Sequence, residues 1–398
     1  MKKILVVVPD FQLGGVTTSA INFCNELVRQ GNEVSLLNMG KETLESEMML
    51  EHGVAMLSLE GSARYWNLGL KDINQAKLLK KIAFIFVGII KKMTNRSGSW
   101  LELVFFNYNL QQKFDVAVAF KQCAPCYYFV LNCVQAQKKI AFVHGDINFM
   151  GDVSSWDCYF HKYDYIACVS KAVKSGFEER YSTISKKIWT VYNMLDIEGI
   201  CRKSQENCSV VVDPAFINIV TIARNENNHK QIDWIPKICA ILKVRKTSSF
   251  RWYGIGEGPD FESNKQLAEK LQVSDVLSFC GALWNPYPIL NACDFLVLPS
   301  KTEAYGMVID EAHILCKPVV ATYYPALQEV LVDGVNGLIA KQNVEDLADK
   351  IEDLIENKNG ILSKLKKNLQ KFEMTNRLAY SQFVDMCNYE EKEENNEK

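Results

Sequence analysis

Short runs of apolar, mostly β-branched residues alternate along the chain with longer segments whose apolar positions recur at helical spacing. The first run, Lys3–Val8, is followed by a segment over Thr17–Arg29 in which Ala20, Cys24 and Leu27 belong to one apolar stripe. The run predicts a strand, and the stripe predicts an amphipathic helix. Continuous apolar strands separated by helices are typical of a parallel sheet that is covered on both faces.

The alternation of strands and helices is interrupted once. The predicted strands, in chain order, are Lys3–Val8, Glu33–Leu37, Val54–Leu59, Asp115–Ala119, Ile140–Val143, Ile166–Val169, Trp189–Tyr192, Phe216–Ile222, Phe250–Tyr253, Val276–Cys280, Phe295–Leu298 and Pro318–Ala321. A polar stretch between Asp196 and Pro214 separates the seventh of these strands from the eighth, and a helix over Gln231–Lys243 follows the eighth. We therefore predict two doubly wound α/β domains joined near residue 200.

Composition and charge exclude several classes of protein. The length of 398 residues predicts two or three domains, and 48% hydrophobic with 23% charged residues is the balance of a globular chain. The formal net charge of −2 argues against a protein that binds nucleic acid through a general excess of cations. The 13 cysteines, odd in number and irregularly spaced, favour reduced thiols in a cytoplasmic protein. No apolar run approaches the roughly 20 residues that span a bilayer.

Glycine-rich loops follow two of the predicted strands. Gly14 and Gly15 precede the first helix, where glycine lets the backbone approach a ligand and the helix N-terminus offers N–H groups to a phosphate. Gly254, Gly256 and Gly258 directly follow a later strand. Neither loop has the G-x-G-x-x-G spacing and the following acidic residue of a dinucleotide site, which disfavours a nicotinamide enzyme. Each loop alone is also compatible with an ordinary tight turn.

Two pairs of charged side chains follow predicted strands in the second half of the chain. Arg224 and Lys230 stand six residues apart, and two such cations can clamp a diphosphate and neutralise a phosphate leaving group. Glu303 and Glu311 stand eight apart at the carboxyl end of a strand, where a carboxylate can accept two hydrogen bonds from vicinal sugar hydroxyls. Spacing alone does not distinguish either pair from ordinary surface charge.

These features occur together in the order seen in one known family. The two glutamates, the Arg224/Lys230 pair and the two glycine loops resemble those of glycosyltransferase family 4. Further matching segments are Phe279–Gly281, Ala292–Ser300, Lys317–Thr322 and Asp333–Leu338. The resemblance covers nearly the whole chain and is densest from Asn218 to Ala340. It implies the α/β GT-B fold, in which two Rossmann-like doubly wound domains face each other across a cleft.

The resemblance also implies a role for each domain. Residues 1–195 are expected to form an acceptor-side domain, completed by a returning C-terminal helix at about 375–390. Residues 196–374 are expected to form the nucleotide-sugar-binding domain.

Site residues follow from the resemblance position by position. Glu311 resembles the glutamate that binds ribose, Glu303 the one that contacts the donor sugar, and Arg224 with Lys230 the diphosphate clamp. Gly15 resembles the loop below the same diphosphate. His144, which follows a predicted strand, resembles the histidine beside the reacting sugar, although a lone histidine is also common as a structural residue. His144, Glu303, Arg224 and Lys230 are thus the expected catalytic residues. The other expected donor-binding positions are Gly14, Gly254, Gly256, Gly281, Ala304, Tyr305, Gly306, Met307 and Val308.

The activity that the resemblance implies is a retaining hexosyltransferase, which moves a sugar from a nucleotide diphosphate sugar to a hydroxyl acceptor. It implies no cofactor and no metal ion; the nucleotide sugar is a co-substrate, and the acceptor is a saccharide or a lipid-linked saccharide in capsule or other cell-surface polysaccharide or glycolipid assembly. Two alternatives stay open: a nucleotide-sugar epimerase of the same fold, and a non-catalytic partner subunit of a glycosyltransferase. No nucleic acid is expected as a partner.

A few positions depart from the pattern of the family. Ala304 stands where glycine is usual, and Tyr305 where phenylalanine is frequent. The loop Thr322–Ala326 replaces a common double glycine, which leaves donor-side details there open. Cys123 and Cys126 form a lone C-x2-C motif without a second pair of ligands, so neither a zinc site nor thiol redox chemistry is predicted there.

A basic segment over residues 64–113 allows two interpretations. It has nine Lys and Arg against two acidic residues, and within Leu78–Lys92 the pairs Lys80–Lys81 and Lys91–Lys92 flank an apolar run. This pattern favours an interfacial helix on anionic lipid, which would place the protein peripherally on the inner face of the cytoplasmic membrane. A buried helix whose lysines reach solvent explains the same pattern.

Overall fold

The chain folds into two compact units, Met1–Leu195 together with Asn376–Lys398, and Asp196–Thr375. The structure, a computed structural model, describes residues 1–11, 14–40, 50–59, 105, 108–147, 154–208, 210–247, 249–371 and 374–389, apart from the side chains of 154 and 155. Most of the basic segment 64–113 therefore lies outside the described residues.

The first unit is built on a parallel sheet. Its strands are β1 (Lys3–Val8), β2 (Glu33–Asn38), β3 (Val54–Ser58), β4 (Lys113–Ala119), β5 (Gln135–Val143), β6 (Tyr165–Cys168) and β7 (Ile188–Thr190). Within the described ranges they lie in the order β3-β2-β1-β4-β5-β6-β7. Ile4 of β1 pairs with Val34 on one side and with Val116 on the other. The order of strands therefore reverses between β1 and β4, and this switch point is where open α/β sheets bind ligands.

The second unit repeats this architecture with a separate sheet. Its strands are β8 (Ile217–Ile222), β9 (Phe250–Ile255), β10 (Leu277–Gly281), β11 (Phe295–Leu298), β12 (Val319–Thr322) and β13 (Gly337–Ala340). Their order is β10-β9-β8-β11-β12-β13 in the described part of the chain, and the pairings there are parallel. The fully buried Trp252 donates from Nε1 to Thr221 Oγ1 at 3.1 Å, and that hydroxyl donates to the Val297 carbonyl at 2.8 Å. A polar chain thus crosses β9, β8 and β11 inside an otherwise apolar core.

Helices flank both sheets. The helices that the structure describes are α1 (Gly15–Arg29), α2 (Ala124–Cys133), α3 (Ser154–Phe160), α4 (Lys171–Arg180), α5 (Ile197–Lys203), α6 (Asn227–Lys230), α7 (Trp234–Val244), α8 (Phe261–Lys270), α9 (Tyr287–Ala292), α10 (Met307–Ile314), α11 (Val344–Ile355), α12 (Ile361–Leu369) and α13 (Arg377–Asn388). The apolar stripe of α1 is buried, as its spacing predicts. No described helix is long and apolar enough to cross a membrane.

The C-terminal helix α13 belongs to the first unit. The Phe383 ring of α13 lies 5.1 Å from the ring of Phe23 in α1, and Phe23 also contacts Phe120 at 5.2 Å and Phe142 at 5.3 Å. Asn376, just before α13, donates from its side chain to the Leu195 carbonyl at 2.8 Å. These contacts anchor the end of the chain against the core that its beginning forms.

The prediction of two Rossmann-like α/β domains is confirmed. The predicted strands are all present, with ends that differ by a few residues, but the sequence analysis did not predict β13. That strand has only four residues and begins with Gly337 at the edge of the sheet. A short edge strand that begins with glycine carries a weak β signal.

Candidate active site

Two loops of the second unit meet at the switch point of its sheet. Arg224 follows β8, and Glu303 follows β11, and these strands are neighbours that pair through Phe295 and Ile219. Because both strands are parallel, their carboxyl ends lie at the same edge. The two charged segments that the sequence analysis selected therefore lie side by side.

The loop that carries Arg224 is supported by the glycine turn after β9. Ala223 N–H donates to the Ile255 carbonyl at 3.0 Å, and Asn225 N–H donates to the Glu257 carbonyl at 3.0 Å. A Cβ added at Gly256 would lie 2.0 Å from the Ala223 carbonyl oxygen, and φ of Gly256 is +133°, so a side chain is excluded there. The turn fixes the backbone on both sides of Arg224, whose own side chain is exposed.

The segment that follows Arg224 is fixed by buried asparagines. Asn264 of α8 donates from Nδ2 to Asn225 Oδ1 at 2.7 Å and to Asn227 Oδ1 at 2.9 Å. The Glu226 carboxylate accepts from the N–H groups of Asn228 and His229, which caps the short helix α6. Lys230 is the last residue of this helix, so its position follows from the capped turn.

Lys230 and Glu303 form an ion pair between the two loops. The Lys230 ammonium donates to Glu303 Oε1, and the Ser300 hydroxyl donates to the same oxygen at 2.8 Å. The two charged side chains are only 26% and 13% exposed, so solvent screens this pair less than a surface pair. The Lys301 N–H also donates to the His229 carbonyl at 2.8 Å, which joins the backbones of the loops. Among the described residues no carboxylate pairs with Arg224, and its charge is available to a ligand.

Helix α10 begins at the same edge of the sheet and carries two carboxyl groups with raised pKa values. Burial raises the pKa of Glu311 to about 7, and a hydrogen bond from the Tyr287 hydroxyl, 3.3 Å from Oε1, opposes this shift. Burial also raises the pKa of Asp310 to about 7, against a hydrogen bond from Tyr305. A carboxylate that is poorly solvated without ligand gains from the hydroxyl donors that a sugar or ribose offers.

Gly306 precedes α10 in a conformation that favours glycine. Its φ is +97°, and an added Cβ would lie 2.6 Å from the hydroxyl of Tyr324. Tyr324 is buried, and its hydroxyl has no hydrogen-bond partner among the described residues. The sharp turn at Gly306 directs the first N–H groups of α10, including those of Met307 and Val308, out of the end of the helix.

The remaining predicted donor-binding residues of this unit surround the same edge. Gly281 has a φ of +72°, and its carbonyl accepts from Gly256 N–H at 2.8 Å. An added Cβ at Gly254 would lie 2.7 Å from the ring of Phe279. Ala304 and Tyr305 lie half-buried in the loop between Glu303 and α10. The structure therefore gathers the predicted residues of the second unit at one sheet edge.

The predicted residues of the first unit lie at the carboxyl edge of its own sheet. Gly14 and Gly15 are exposed at the start of α1, and an added Cβ at either would meet no atom within 4 Å. Close packing therefore does not explain these glycines. Lys121, after β4, pairs with Asp10, after β1, at 3.1 Å, so an ion pair crosses the switch point.

His144 follows β5 and is held as a neutral imidazole. Burial lowers its pKa to about 3, a shift that a hydrogen bond with the Phe120 backbone opposes. Its N–H main-chain group donates to Gln122 Oε1 at 2.7 Å, and the rings of Phe120 and Phe142 lie 4.6 and 5.7 Å from the imidazole. Nε2 is buried and has no partner among the described residues. A fully satisfied structural histidine does not leave such an atom unpaired.

One segment of the chain matches a family of known proteins. Residues 215–372 match the family model described as glycosyl transferases group 1. Over this range, which is less than half of the chain, the sequence is similar to group 1 glycosyltransferases. The matched range includes the whole second sheet, both loops at its switch point and helix α10.

The curated proteins that this chain resembles are distant in sequence. An uncharacterized glycosyltransferase of Methanocaldococcus jannaschii is 29% identical over 245 residues, which is 58% of this chain and 64% of that protein. The lipopolysaccharide core biosynthesis glycosyltransferase LpsE of Rhizobium meliloti is 25% identical over 213 residues, 52% of this chain and 59% of that protein. The matched part thus amounts to about three fifths of the length of these relatives.

A solved structure shares the fold of this chain. A mutant of TarM from S. aureus, in complex with Fondaparinux, alpha-GlcNAc-glycerol and UDP, matches with a TM-score of 0.71 at 15% sequence identity. The match covers 98% of this chain and 100% of that chain. The GT-B fold that the sequence resemblance implies is thereby confirmed for the two Rossmann-like domains.

Three side chains at this edge of the second sheet were not selected from the sequence. Tyr287 donates to Glu311 across 24 positions of chain, Ser300 donates to Glu303, and Asp310 shares the raised pKa of its neighbour. Ser300 lies in the same motif as Glu303, so it could have been selected from the sequence. The contact of Tyr287 depends on where α9 lies against α10, which no local pattern reveals.

Proposed function

We propose that this chain is a retaining glycosyltransferase of family 4, which transfers a sugar from a nucleotide diphosphate sugar to a hydroxyl group of a saccharide or lipid-linked saccharide. The observation that carries the proposal is the convergence of Arg224, Lys230, Glu303 and Glu311 at the switch point of the second sheet. UDP in the TarM complex and the lipopolysaccharide role in the name of LpsE support a nucleotide donor and a cell-surface product.

Two cations and a helix N-terminus are suited to the diphosphate of the donor. Arg224 offers a planar guanidinium group with several N–H donors. Lys230 offers a positive charge, which is paired with Glu303 in the ligand-free protein. When a diphosphate binds, Lys230 can share its donors between the phosphate and Glu303. The N–H groups at the start of α10 add backbone donors.

The glutamates have different roles in this proposal. Glu311 accepts hydrogen bonds from the ribose hydroxyls, which stabilises its ionised form and lowers the pKa that burial has raised. Glu303 contacts hydroxyls of the transferred sugar while Lys230 and Ser300 hold its other lone pairs. Glu303 is thus a positioning carboxylate in this proposal.

Stabilisation of the leaving diphosphate is the main catalytic contribution that we assign. As the bond between the anomeric carbon and the phosphate oxygen breaks, negative charge accumulates on the diphosphate, and Arg224 and Lys230 neutralise it without an obligatory metal ion. For His144 we propose a hydrogen bond to the reacting sugar, made by a neutral imidazole because its pKa lies at about 3.

A donor screen tests the activity. The purified chain is incubated with UDP-, GDP- and ADP-sugars, with and without saccharide acceptors, and nucleotide release and sugar identity are followed. Acceptor-dependent release supports transfer, whereas a changed free nucleotide sugar identifies an epimerase. Binding without turnover of any donor identifies a non-catalytic subunit. The anomeric configuration of the product, read by NMR, tests retention, and activity in excess chelator tests metal independence.

A pair of lysine variants tests the site. Lys230→Ala should lower kcat/KM by about one to two decades, because the loss of one charge-assisted contact costs about 1.5–3 kcal/mol. Lys243→Ala is the matched control, since Lys243 also pairs with a carboxylate, Asp275 at 2.7 Å, but at the far end of α7. Equal activity of the two variants would contradict the assignment of Lys230.

Membrane association through residues 64–113 is the remaining part of the proposal. The chain should co-sediment with anionic vesicles at low salt and dissociate at high salt, because each cation near the surface contributes about 1 kcal/mol that salt screens. Replacement of Lys80, Lys81, Lys91 and Lys92 should abolish this binding. Equal, negligible binding to anionic and neutral vesicles would favour a buried helix.

A further inference from the structure

Two cysteines stand at the beginning of helix α2 in the first unit. Cys123 is the N-cap residue, in an extended conformation, and its carbonyl accepts the first helical hydrogen bond from Tyr127 at 3.1 Å. Cys126 is the third residue of the helix, and Pro125 occupies the second position. Side chains at the N-cap and at the third helical position face each other, as in a capping box. The two thiols contact each other directly, since a side-chain hydrogen bond joins Cys123 and Cys126.

The two thiols differ in exposure and in acidity. Cys126 is fully buried, whereas Cys123 is partly exposed. A hydrogen bond with the Cys126 thiol lowers the pKa of Cys123, and the charge of Lys121 contributes in the same direction, against burial and Asp10. Burial raises the pKa of Cys126 well above its ordinary value. A partly exposed cysteine whose thiol pKa is lowered, beside a buried second cysteine, is the arrangement of an attacking and a resolving cysteine.

The surroundings of the pair leave the buried thiol free to react with its neighbour. The other contact that the structure gives for the Cys126 sulfur is with the Met39 sulfur at 3.8 Å, and a thioether is only a weak acceptor. All 13 cysteines of the chain are free thiols, so Cys126 has no competing disulfide partner. The other fully buried cysteines, such as Cys24 and Cys168, have pKa values that burial raises.

We propose that Cys123 and Cys126 form a reversible disulfide by exchange with a small-molecule disulfide of the glutathione type. The Cys123 thiolate attacks one sulfur of the oxidised reagent, forms a mixed disulfide and releases one thiolate. The Cys126 sulfur then loses its proton and attacks Cys123 Sγ, which releases the second thiolate. Two protein thiols are oxidised, one reagent disulfide is reduced, and the two protons pass to the released thiols.

The position of the pair links it to the loop that holds His144. Gln122, whose side chain accepts from His144 N–H, directly precedes Cys123, and the Phe120 ring contacts the imidazole. A disulfide at Cys123 would therefore constrain the backbone next to Gln122, whose side chain holds the main chain of His144. The proposal itself concerns the thiol chemistry and does not rest on the proposed function.

The full chain offers a clean readout of this disulfide. The native protein is equilibrated with oxidised glutathione, denatured, alkylated and cleaved with chymotrypsin. Cleavage after Phe120 and Tyr127 gives the peptide Lys121–Tyr127, whose only cysteines are Cys123 and Cys126. We expect this peptide to be lighter by two hydrogens and unalkylated, and to regain two alkylation sites after reduction. The exposed Cys208 serves as an internal control for the reaction of an accessible thiol with glutathione.

Two single variants separate the roles of the cysteines. Cys126→Ser should accumulate glutathione on Cys123, because the resolving thiol is absent, and Cys123→Ser should leave Cys126 unmodified, because it is buried. Two free thiols in the wild-type peptide under conditions that fully modify Cys208 would overturn the proposal. So would a folded Cys126→Ser variant without glutathione on Cys123.

Discussion

The close approach of the glycine turn to the Arg224 loop can be tested by adding a single methyl group. In Gly256→Ala the new Cβ would lie 2.0 Å from the Ala223 carbonyl oxygen, and φ at this position is +133°. The obstructing atom belongs to the backbone and not to a flexible side chain, so the loop of residues 223–225 must move. That movement would displace Arg224 and break the hydrogen bonds of Ala223 and Asn225 with the turn.

The loss of stability has a conformational part and a steric part, and variants at two other glycines measure each part separately. A non-glycine residue at such a φ costs about 1–3 kcal/mol, and forcing an extra methyl group into a packed site costs about another 1–3 kcal/mol. Gly258→Ala has the steric part alone, since its Cβ would lie 2.1 Å from the Asn225 carbonyl oxygen and no positive φ is present. Gly334→Ala has the conformational part alone, since φ is +70° and no atom lies within 4 Å. We expect Gly256→Ala to lower the free energy of unfolding of the second unit by about 2–6 kcal/mol and each control by less.

Hydrogen exchange of the full-length variants measures these losses locally. Amides of β8 and β9 should lose protection in Gly256→Ala, and amides of β1 and β4 in the first unit serve as the internal reference. The affinity for the donor nucleotide should fall in Gly256→Ala and Gly258→Ala but not in Gly334→Ala. If Gly256→Ala loses no more protection than Gly334→Ala, the close approach does not constrain the Arg224 loop and the reasoning fails.

Titration of two buried groups gives further predictions. Glu311 has a pKa of about 7 against its ordinary 4.5, so between these two pH values the folded state holds more protons than the unfolded state. Burial of this carboxyl group therefore lowers the free energy of unfolding progressively as the pH rises from about 4.5 to 7. Glu311→Gln should therefore be more stable than wild type at pH 8, by about 1–3 kcal/mol in denaturant titrations, while its donor affinity falls; lower stability at pH 8 would contradict the buried carboxyl. His144 has a pKa of about 3 against its ordinary 6.5, so the unfolded state holds more protons and stability falls as the pH drops from about 6.5 to 3. His144→Asn should reduce this acid sensitivity, and an NMR titration of His144 with an inflection near pH 6.5 would refute its burial.

Local patterns predicted the elements of the fold because most of them have a strong, continuous apolar signal. β1 and β11 are fully buried runs of Val, Ile, Leu and Phe, and such runs are specified by the residues themselves. β13 was missed because its four residues begin with glycine, and its place in the sheet depends on pairing with β12. The polar stretch after Asp196 predicted a boundary because it lacks apolar periodicity, and the two units divide between Leu195 and Asp196.

Residues of the site could be selected from the sequence where a motif or a strand end marks them, but their contacts with one another depend on the fold. Arg224 and Glu303 were selected from local motifs and from the resemblance, and the pairing of β8 with β11 in the structure brings their loops together. The contact between Lys230 and Glu303 depends on the capped turn of α6, and that between Tyr287 and Glu311 depends on the packing of α9. Burial of Glu311 and of His144 Nε2 also follows from tertiary packing, and their shifted pKa values could not be predicted before the fold was known.

The distribution of unpaired polar atoms supports the placement of the site independently of any motif. In the described part of the second unit, the buried side-chain atoms without a hydrogen-bond partner are Gln231 Oε1, Thr302 Oγ1, His313 Nε2 and Tyr324 Oη. Gln231 follows Lys230, Thr302 precedes Glu303, His313 lies in α10, and Tyr324 lies against Gly306. Each such atom costs stability, and natural proteins retain such costs mainly where a function requires them. Three of these atoms, those of Gln231, Thr302 and Tyr324, lie on the loops around Lys230, Glu303 and Gly306 and not in the strands of the core, which supports a binding role for this edge of the sheet, whereas His313 faces Asn336 before β13.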